Sequence, residues 1–368
     1  MTAPHTCLVS TARVLSAPAI DSVQRRTVRT LVGSQMLGGV GVSSGIAVAS
    51  LMAEQILGSP DLAGLANTAQ VLGSALLSVP AARLMAARGR RVGLVTAYLT
   101  GIVGAVLGPN LVGPAGRFAQ GLGLPPLSGP FLFSMVGFLL AALVLFVWMR
   151  PDPLLTARQI AVDAGNTEAS HGSVRRGLRV IRAHPMAMLG LGAVAVGHTV
   201  MVSVMVMTPL HMDHGGAELR LIGLVISVHV FGMYAFSPVM GWLVDRVGGR
   251  VVVVGGGATL VVASLVSSRA PEGWSDGLVA GLFLLGLGWS ATLVAGSTLL
   301  TAAVAQHERP GVQGASDLIM GLSAGLGGGL SGVVVGVWGY PMLSLIAAAL
   351  SAVLGLGALA ARVGIPVR

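Results

Sequence analysis

The chain has 368 residues, of which 54% are hydrophobic and only 10% are charged. Soluble domains carry about 25% charged residues, so a water-soluble fold of this composition could not cover its surface with polar groups, and the mean hydropathy of +0.85 indicates a lipid environment. The net charge of +9 does not indicate nucleic acid, because the basic residues are all arginines in short segments between apolar runs. The single cysteine, Cys7, excludes an internal disulfide and a cysteine-based zinc site.

Ten long apolar runs follow a polar N-terminal segment. Residues 1–30 carry four arginines, and we expect them to form a cytoplasmic tail. Each run has the roughly 20 residues that a helix needs to cross a bilayer. The runs predict an all-α membrane protein, a polytopic bundle of about ten transmembrane helices. They cover residues 31–57, 62–86, 91–113, 129–149, 186–209, 221–244, 250–268, 277–304, 314–336 and 340–361.

Arginine is distributed unequally between the segments that join these runs. With the N-terminus inside the cell, 19 arginines fall on the inner side and three on the outer side, namely Arg117, Arg220 and Arg269. Membrane proteins retain positive charge on the cytoplasmic side. The distribution predicts a multi-pass protein of the bacterial inner membrane with both termini in the cytoplasm.

One polar segment divides the chain into two bundles. Residues 150–185 form the longest polar stretch between apolar runs and carry six arginines. We expect a cytoplasmic linker here, joining a first bundle of four spans at 31–149 to a second bundle of six spans at 186–368. Residues 173–183 have the pattern of a short amphipathic helix at the membrane surface.

The loop between the sixth and seventh runs carries the strongest motif, GWLVDRVGGR at residues 241–250. It resembles the G-x-L-x-D-R-x-G-R-R loop of the major facilitator superfamily, with Gly248 among the matching positions. A glycine such as Gly241 is expected to allow close helix packing. Asp245 is expected to pair with Arg246, with Arg250 or with a helix N-terminus.

A weaker copy of this loop follows the second run, ARLMAARGRR at residues 82–91. Gly89, Arg90 and Arg91 are retained, but alanine replaces the first glycine and the aspartate. Two such loops at equivalent places indicate duplicated halves.

A proline element, GAVLGPNLVGP, occupies residues 104–114. Gly104, Gly108, Pro109 and Gly113 resemble the antiporter motif in the fifth helix of exporters of this superfamily. Proline and glycine let a helix bend and pack closely, so helix packing alone also accounts for the element. The segments at 205–215 and 226–238 resemble the seventh and eighth helices of a drug-efflux-like branch.

The first half is shorter than the resemblance requires. Superfamily members usually have twelve spans, and the antiporter motif usually lies two helices after the first loop. Here it follows within about 15 residues, inside the same apolar run. We expect that the end of helix three, helix four and the start of helix five are absent. Loss of two crossings preserves the orientation of everything downstream.

Ionisable groups inside a membrane are costly and indicate functional sites. His198 and His229 lie mid-way along predicted spans, and each is expected either to carry protons in a central cavity or to bond to a neighbouring helix. Asp317, just inside the ninth run, is a cap or a cavity carboxylate. Glu54, near the outer end of the first run, is placed where it can reach water.

Other polar side chains leave two interpretations open. Gln35, Asn67 and Gln70 lie in the first two runs and would contact substrate or form interhelical hydrogen bonds. His211, Asp213 and His214 lie at the outer end of the fifth run. They form a polar turn or, less in keeping with the pattern, a transition-metal site; we predict no metal.

The resemblance implies a secondary transporter, and not an enzyme, that exports small apolar or cationic compounds in exchange for protons. The alternatives are an uptake symporter of the same fold and a truncated, transport-inactive membrane protein. No cofactor is expected, and no nucleotide-binding signature is present. Nucleic acid is not expected either, because the arginines lie in short loops between apolar runs. The expected partners are the small-molecule substrate, protons and the lipid bilayer. The sequence does not indicate the oligomeric state.

Overall fold

A computed structural model describes residues 22–27, 29–31, 33–34, 51, 54, 123, 129–152, 155–156, 174–305 and 308–361. Every element of this part of the chain is an α-helix. In chain order they are α1 Gly129–Trp148, α2 Val174–Ala183, α3 Pro185–His214, α4 Leu219–Tyr234, α5 Ser237–Val247, α6 Gly249–Ser268, α7 Asp276–Ala302 and α8 Arg309–Ala360.

Five helices in the described residues are long and apolar enough to cross a membrane. They are α3, the α4–α5 pair over Arg220–Val247, α6, α7 and α8. Large apolar side chains remain exposed on their outer faces, among them Leu326 at 66% and Val353 at 68%. An exposed apolar surface of this kind suits contact with lipid tails, so the helices form a polytopic membrane bundle as predicted.

The helix α8 comprises two spans. Its 52 residues would measure about 78 Å if straight, far more than a bilayer core of about 30 Å. Gly339 interrupts the helix with φ 81° and ψ 167°, a backbone conformation that residues other than glycine rarely adopt. Pro341 follows two residues later. The two arms, 309–338 and 340–360, correspond to the predicted spans 314–336 and 340–361.

The helix α3 continues further than the sequence predicts. The predicted span ends at residue 209, whereas α3 continues to His214 with Pro209 inside it. Residues 203–212 are all buried, because Val204, Met207 and Leu210 share a core cluster with residues of α7 and α8. Tertiary contacts therefore hold a polar helix end that hydropathy alone assigns to a loop.

The N-terminal segment becomes helical before the first predicted span. Residues 22–27, 29–31 and 33–34 are helical, and the Thr30 hydroxyl donates to the Arg26 carbonyl oxygen at 2.9 Å. Helical structure therefore begins within the segment expected to be a tail.

The helix α2 docks on the second bundle. Its buried face consists of Gly177 and Ile181, and Gly177 lies against the backbone of Gly311 at the start of α8. Arg176 lies 3.8 Å from Glu308, while Arg175, Arg179 and Arg182 are exposed. The predicted amphipathic helix is thus present, and its apolar side covers the start of α8.

The helix α7 contacts most of its neighbours through glycine. A Cβ on Gly296 would lie 2.7 Å from the Gly190 carbonyl oxygen of α3. A Cβ on Gly286 would lie 2.9 Å from the Met233 nitrogen of α4, and even closer to the His229 carbonyl oxygen. Lipid gives helices no hydrophobic reason to associate, so close backbone packing of this kind holds them together.

The structure shows no close helix contact at Gly241 within the described residues. A Cβ at Gly241 would meet no described atom within 4 Å, so the expected packing role stays a prediction. Gly248, with φ 89°, is the glycine that the same loop requires, since it turns the chain from α5 into α6.

Replacing Gly286 by alanine is expected to destabilise the protein by about 1–3 kcal/mol, because the new methyl group must displace backbone atoms of α4. Replacing Gly241 by alanine is the matched control, since its methyl group would meet no described atom within 4 Å. Thermal unfolding in detergent measures both. Equal midpoints for Gly286→Ala and the parent protein would contradict the packing described here.

Candidate functional site

His198 forms the central polar contact of the second bundle. It lies near the middle of α3, half-buried, and its Nδ1 accepts a hydrogen bond of 2.9 Å from the indole Nε1 of Trp289. Trp289 lies at the middle of α7 and is only 6% exposed. An indole N–H can only donate, so the neutral imidazole must carry its proton on Nε2.

Aromatic residues on both sides of the α4–α5 boundary make ring contacts. Tyr234 meets Trp289 edge to face, with ring centroids 5.9 Å apart, and is 55% exposed. Phe236 meets Phe231 at 5.9 Å and Phe283 at 5.8 Å in the same manner. Such pairs use the positive ring edge against the negative ring face. Tyr234 therefore extends the His198–Trp289 contact, and the three phenylalanines form a second group of rings that includes Phe236, two residues further along the chain. We call these rings together the aromatic cluster.

The cluster lies where the α4–α5 span is interrupted. The helix α4 ends at Tyr234, and Pro238 lies in the first turn of α5. The Ser237 hydroxyl donates to the Met233 carbonyl oxygen at 3.0 Å and lies 3.0 Å from the Ser290 hydroxyl of α7. Interrupted helices near the middle of the bilayer are characteristic of transporter binding sites.

His229 is fully buried between α4 and α7. Its Nδ1 donates to the Leu282 carbonyl oxygen at 2.8 Å, and its Nε2 has no hydrogen-bond partner among the described residues. The structure therefore places His229 in a helix contact, the second of the two expectations for it.

Asp317 is exposed near the start of α8. Its Oδ1 accepts a hydrogen bond of 2.8 Å from Gln313, one turn earlier. Across the described residues, no hydrogen bond or ion pair joins Asp317, His198 and His229 to one another.

The loop motif makes contacts that the sequence did not predict. Arg250 donates from Nε to the Ala358 carbonyl oxygen at 2.6 Å and from Nη2 to the Leu359 carbonyl oxygen, at the end of α8. The Arg246 guanidinium lies 5.2 Å from the centre of the Trp242 ring. Asp245 is exposed and forms no ion pair with a described residue.

The remaining predicted residues lie outside the described part of the chain. They are Gln35, Asn67, Gln70, Gly89, Arg90, Arg91, Gly104, Gly108, Pro109 and Gly113.

The two histidines at the C-terminal end of α3 have different partners. His211 is 6% exposed, stacks on Tyr340 at 4.2 Å and donates from Nε2 to the Ala270 carbonyl oxygen at 3.2 Å. Tyr340 donates to Thr208 at 2.9 Å, because the Thr208 proton is already given to the Val204 carbonyl oxygen. Within the described residues, no three metal-ligating side chains form a cluster.

His214 connects the second bundle to the first. Its Nε2 donates to the Glu54 carboxylate at 3.0 Å. Leu51, one turn before Glu54, is 4% exposed and belongs to the core cluster around Val204 and Met207. The outer end of the first predicted span therefore closes onto α3, and we call the Glu54–His214 contact the outer latch.

Sequence reasoning found His198 but missed Trp289, Tyr234 and the outer latch. Tryptophan and tyrosine at mid-span are signals that could have found the first two. The partners of the latch are 160 residues apart, and no local pattern joins them.

A family model described as Major Facilitator Superfamily matches residues 199–367. The uncharacterized MFS-type transporter YdeG of Bacillus subtilis is 33% identical over 400 residues, which cover 90% of this chain and 91% of that protein. The uncharacterized MFS-type transporter YddS of the same species is 30% identical over 402 residues, covering 91% and 90%. The riboflavin transporter RfnT of Brucella anthropi is 27% identical over 350 residues, covering 80% and 85%.

The alignments with YddS and YdeG have more positions than this chain contributes residues to them. Since 91% of 368 residues is about 335, about 67 of the 402 positions aligned with YddS have no counterpart here. About 69 of the 400 positions aligned with YdeG are likewise unmatched, because 90% of the chain is about 331 residues. In number, these positions are similar to two membrane spans with their loops.

Replacing Glu54 by glutamine is expected to open the outer latch more often, because an amide accepts a weaker hydrogen bond than a carboxylate. The measurement is the labelling rate of Leu51→Cys by an impermeant maleimide, in a chain whose Cys7 is replaced by serine. We expect about a fivefold faster rate, which corresponds to about 1 kcal/mol. Glu218→Gln, an exposed carboxylate at the start of α4, is the control, and an equal rate in both variants would contradict the latch.

Proposed function

The chain belongs to the major facilitator superfamily of membrane transporters, and on this basis we propose that it exports small apolar or cationic compounds in exchange for protons. The observation that carries the proposal is the His198–Trp289 hydrogen bond beside the aromatic cluster. Transporters of this kind bind substrate near the bilayer midplane, between two bundles that alternate in access.

The proposed coupling depends on the tautomer of His198. In the neutral ring, Nδ1 accepts the indole proton of Trp289. When His198 is protonated, both ring nitrogens are donors and this hydrogen bond cannot form. Protonation would therefore release the Trp289 ring, and the ring's position would in turn favour one charge state of His198. Such a group can bind a proton and substrate alternately, as an antiporter requires.

The aromatic cluster supports a substrate class. Ring faces bind planar apolar compounds by stacking and cations through the negative ring face. Tyr234 is half-exposed while Trp289 is buried. A ligand can therefore contact the Tyr234 ring and shift it relative to the Trp289 ring, which it touches. The RfnT protein is named as a riboflavin transporter, and riboflavin is a planar heterocycle. We therefore include planar aromatic compounds among the proposed substrates.

Asp245, Arg246 and Arg250 are proposed to act at the cytoplasmic gate. Arg250 fixes the α5–α6 loop to the carbonyl groups at the end of α8, where a cation also meets the negative end of the helix dipole. With Arg250 engaged there, the exposed Asp245 is available to pair with the first bundle in another transport state. Both termini are proposed to lie on this side of the bacterial inner membrane.

A transport-inactive protein is the second candidate. The aligned positions without a counterpart, about 67 and 69, favour it, because their number is close to that of the two spans expected to be absent. Uptake in the same fold differs from export only in direction. Flux measured in both right-side-out and everted vesicles separates these alternatives.

Replacing Trp289 by phenylalanine is expected to lower substrate-driven proton flux about tenfold, since the ring remains but its hydrogen bond to His198 is lost. The flux is measured in everted vesicles with lipophilic cations and riboflavin. Trp338→Phe is the matched control, because Trp338 is 61% exposed on α8. His198→Gln should abolish the proton movement. Normal coupling in Trp289→Phe would reject the mid-membrane site, and no flux in the parent chain would favour the inactive protein.

Replacing Asp245 by asparagine is expected to reduce transport about tenfold without reducing the amount of protein in the membrane, because a charge-assisted hydrogen bond at the gate is lost. The control is Asp213→Asn, which removes an exposed carboxylate at the C-terminal end of α3, away from the loop that contains Asp245. Unchanged transport in Asp245→Asn would remove this residue from the mechanism.

A further inference from the structure

A groove lies between the N-terminal helical residues and the end of α1. Its volume is about 580 Å³. One wall carries Arg25, Arg26, Arg29 and Gly33, and the other carries Val144 and Trp148. The spacing of the first wall follows one face of a helix, so the three arginines converge on the same space.

The charge in this groove is not balanced by the groove's own walls. Arg25, Arg26 and Arg29 are exposed, and none forms an ion pair with a described carboxylate. The sequence has no aspartate or glutamate from residue 22 to residue 53 or from residue 129 to residue 150. A fourth cation, Arg150, lies at the end of α1 with its guanidinium 5.5 Å from the centre of the Phe146 ring.

The acidic residue that follows α1 is already engaged. Asp152 accepts a hydrogen bond of 3.2 Å from the Leu155 nitrogen. No described carboxylate therefore neutralises these arginines, and their guanidinium groups present donors for an anion. The planar guanidinium fork binds phosphate oxygens in pairs, which makes arginine a favoured phosphate ligand.

The second wall of the groove is apolar and faces lipid. Trp148 is 54% exposed, and its neighbours on α1 include Leu143 at 56% and Phe146 at 51%. Tryptophan at the end of a membrane helix marks the level of the lipid headgroups. A ligand in this groove thus meets cations at one end and an acyl-chain environment at the other, a combination that favours a phospholipid over free phosphate.

We propose that this groove binds one anionic phospholipid. Its phosphate is held by Arg25, Arg26 and Arg29, and one acyl chain lies along Val144 and Trp148. The site is separate from the mid-membrane aromatic cluster and does not depend on which compound the protein transports. The bound lipid joins the segment that enters the first predicted span to the last helix of the first bundle.

The test is native mass spectrometry of the purified full chain in detergent, after exposure to phosphatidylglycerol or to phosphatidylcholine. The parent chain is expected to retain one phosphatidylglycerol and no phosphatidylcholine. Each arginine near a membrane surface strengthens binding of an anionic lipid about fivefold. The variant with Arg25→Gln, Arg26→Gln and Arg29→Gln should therefore bind phosphatidylglycerol about 100-fold more weakly.

The matched control removes the same charge elsewhere. Arg175→Gln, Arg179→Gln and Arg182→Gln neutralise three exposed arginines on α2, outside the groove. This variant should retain phosphatidylglycerol as the parent chain does. Equal loss in the two variants would show general charge attraction, and no loss in either would show that the lipid binds elsewhere, so both outcomes overturn the proposal.

Two further measurements keep the result specific. Millimolar inorganic phosphate should not displace the lipid, and displacement would assign the groove to a free phosphate ligand instead. Trp148→Ala leaves the arginines intact and should weaken phosphatidylglycerol binding by a few-fold through the lost apolar wall. Elution of every variant as a single species in size-exclusion chromatography confirms that loss of lipid is not loss of fold, and binding unchanged in Trp148→Ala would reject the acyl-chain position.

Discussion

The close approach of α7 to its neighbours is the constraint on which the rest of the second bundle depends. Gly286 and Gly296 bring its backbone against those of α4 and α3. Between these two contacts stands Trp289, one of the largest side chains. Because the backbones meet above and below it, the indole has a narrow space in which to lie, and its N–H points at His198. The tight packing thus determines the position of the polar contact.

The same constraint explains why the two buried histidines differ. His229 lies one turn before Met233, at the point where α4 meets Gly286, and its ring bonds to a backbone carbonyl of α7. A backbone carbonyl cannot move without moving the helix, so this bond is structural. His198 bonds instead to a side chain that has its own rotamers. Only the second kind of contact can respond to a proton or a ligand without rearranging the bundle.

The sequence predicts the helices well and their partners poorly. Hydropathy identifies the six spans of the second bundle because burial in lipid requires about 20 apolar residues whatever the neighbours are. It does not identify the end of α3, where His211 and Asp213 look like loop residues but Tyr340, on a distant helix, covers His211. It named Gly241 from the loop motif and did not identify Gly286, because only tertiary structure shows which glycines of a span touch another backbone. The site was predicted through His198 alone, because an intramembrane histidine is rare, whereas an apolar tryptophan is not.

The motif at residues 241–250 illustrates the limit further. Its residue types are read from the sequence and its cytoplasmic position is predicted from it, but Arg250 binds the end of α8, more than 100 residues away. That contact joins the loop rigidly to its own bundle. A gate must release one bundle from the other while each bundle keeps its shape, so one charge of the motif is needed within the bundle and another must remain available between bundles. In the gate that we propose, Arg250 meets the first need and the exposed Asp245 meets the second. On that proposal, a single short loop carries both signs of charge because the two charges have different partners.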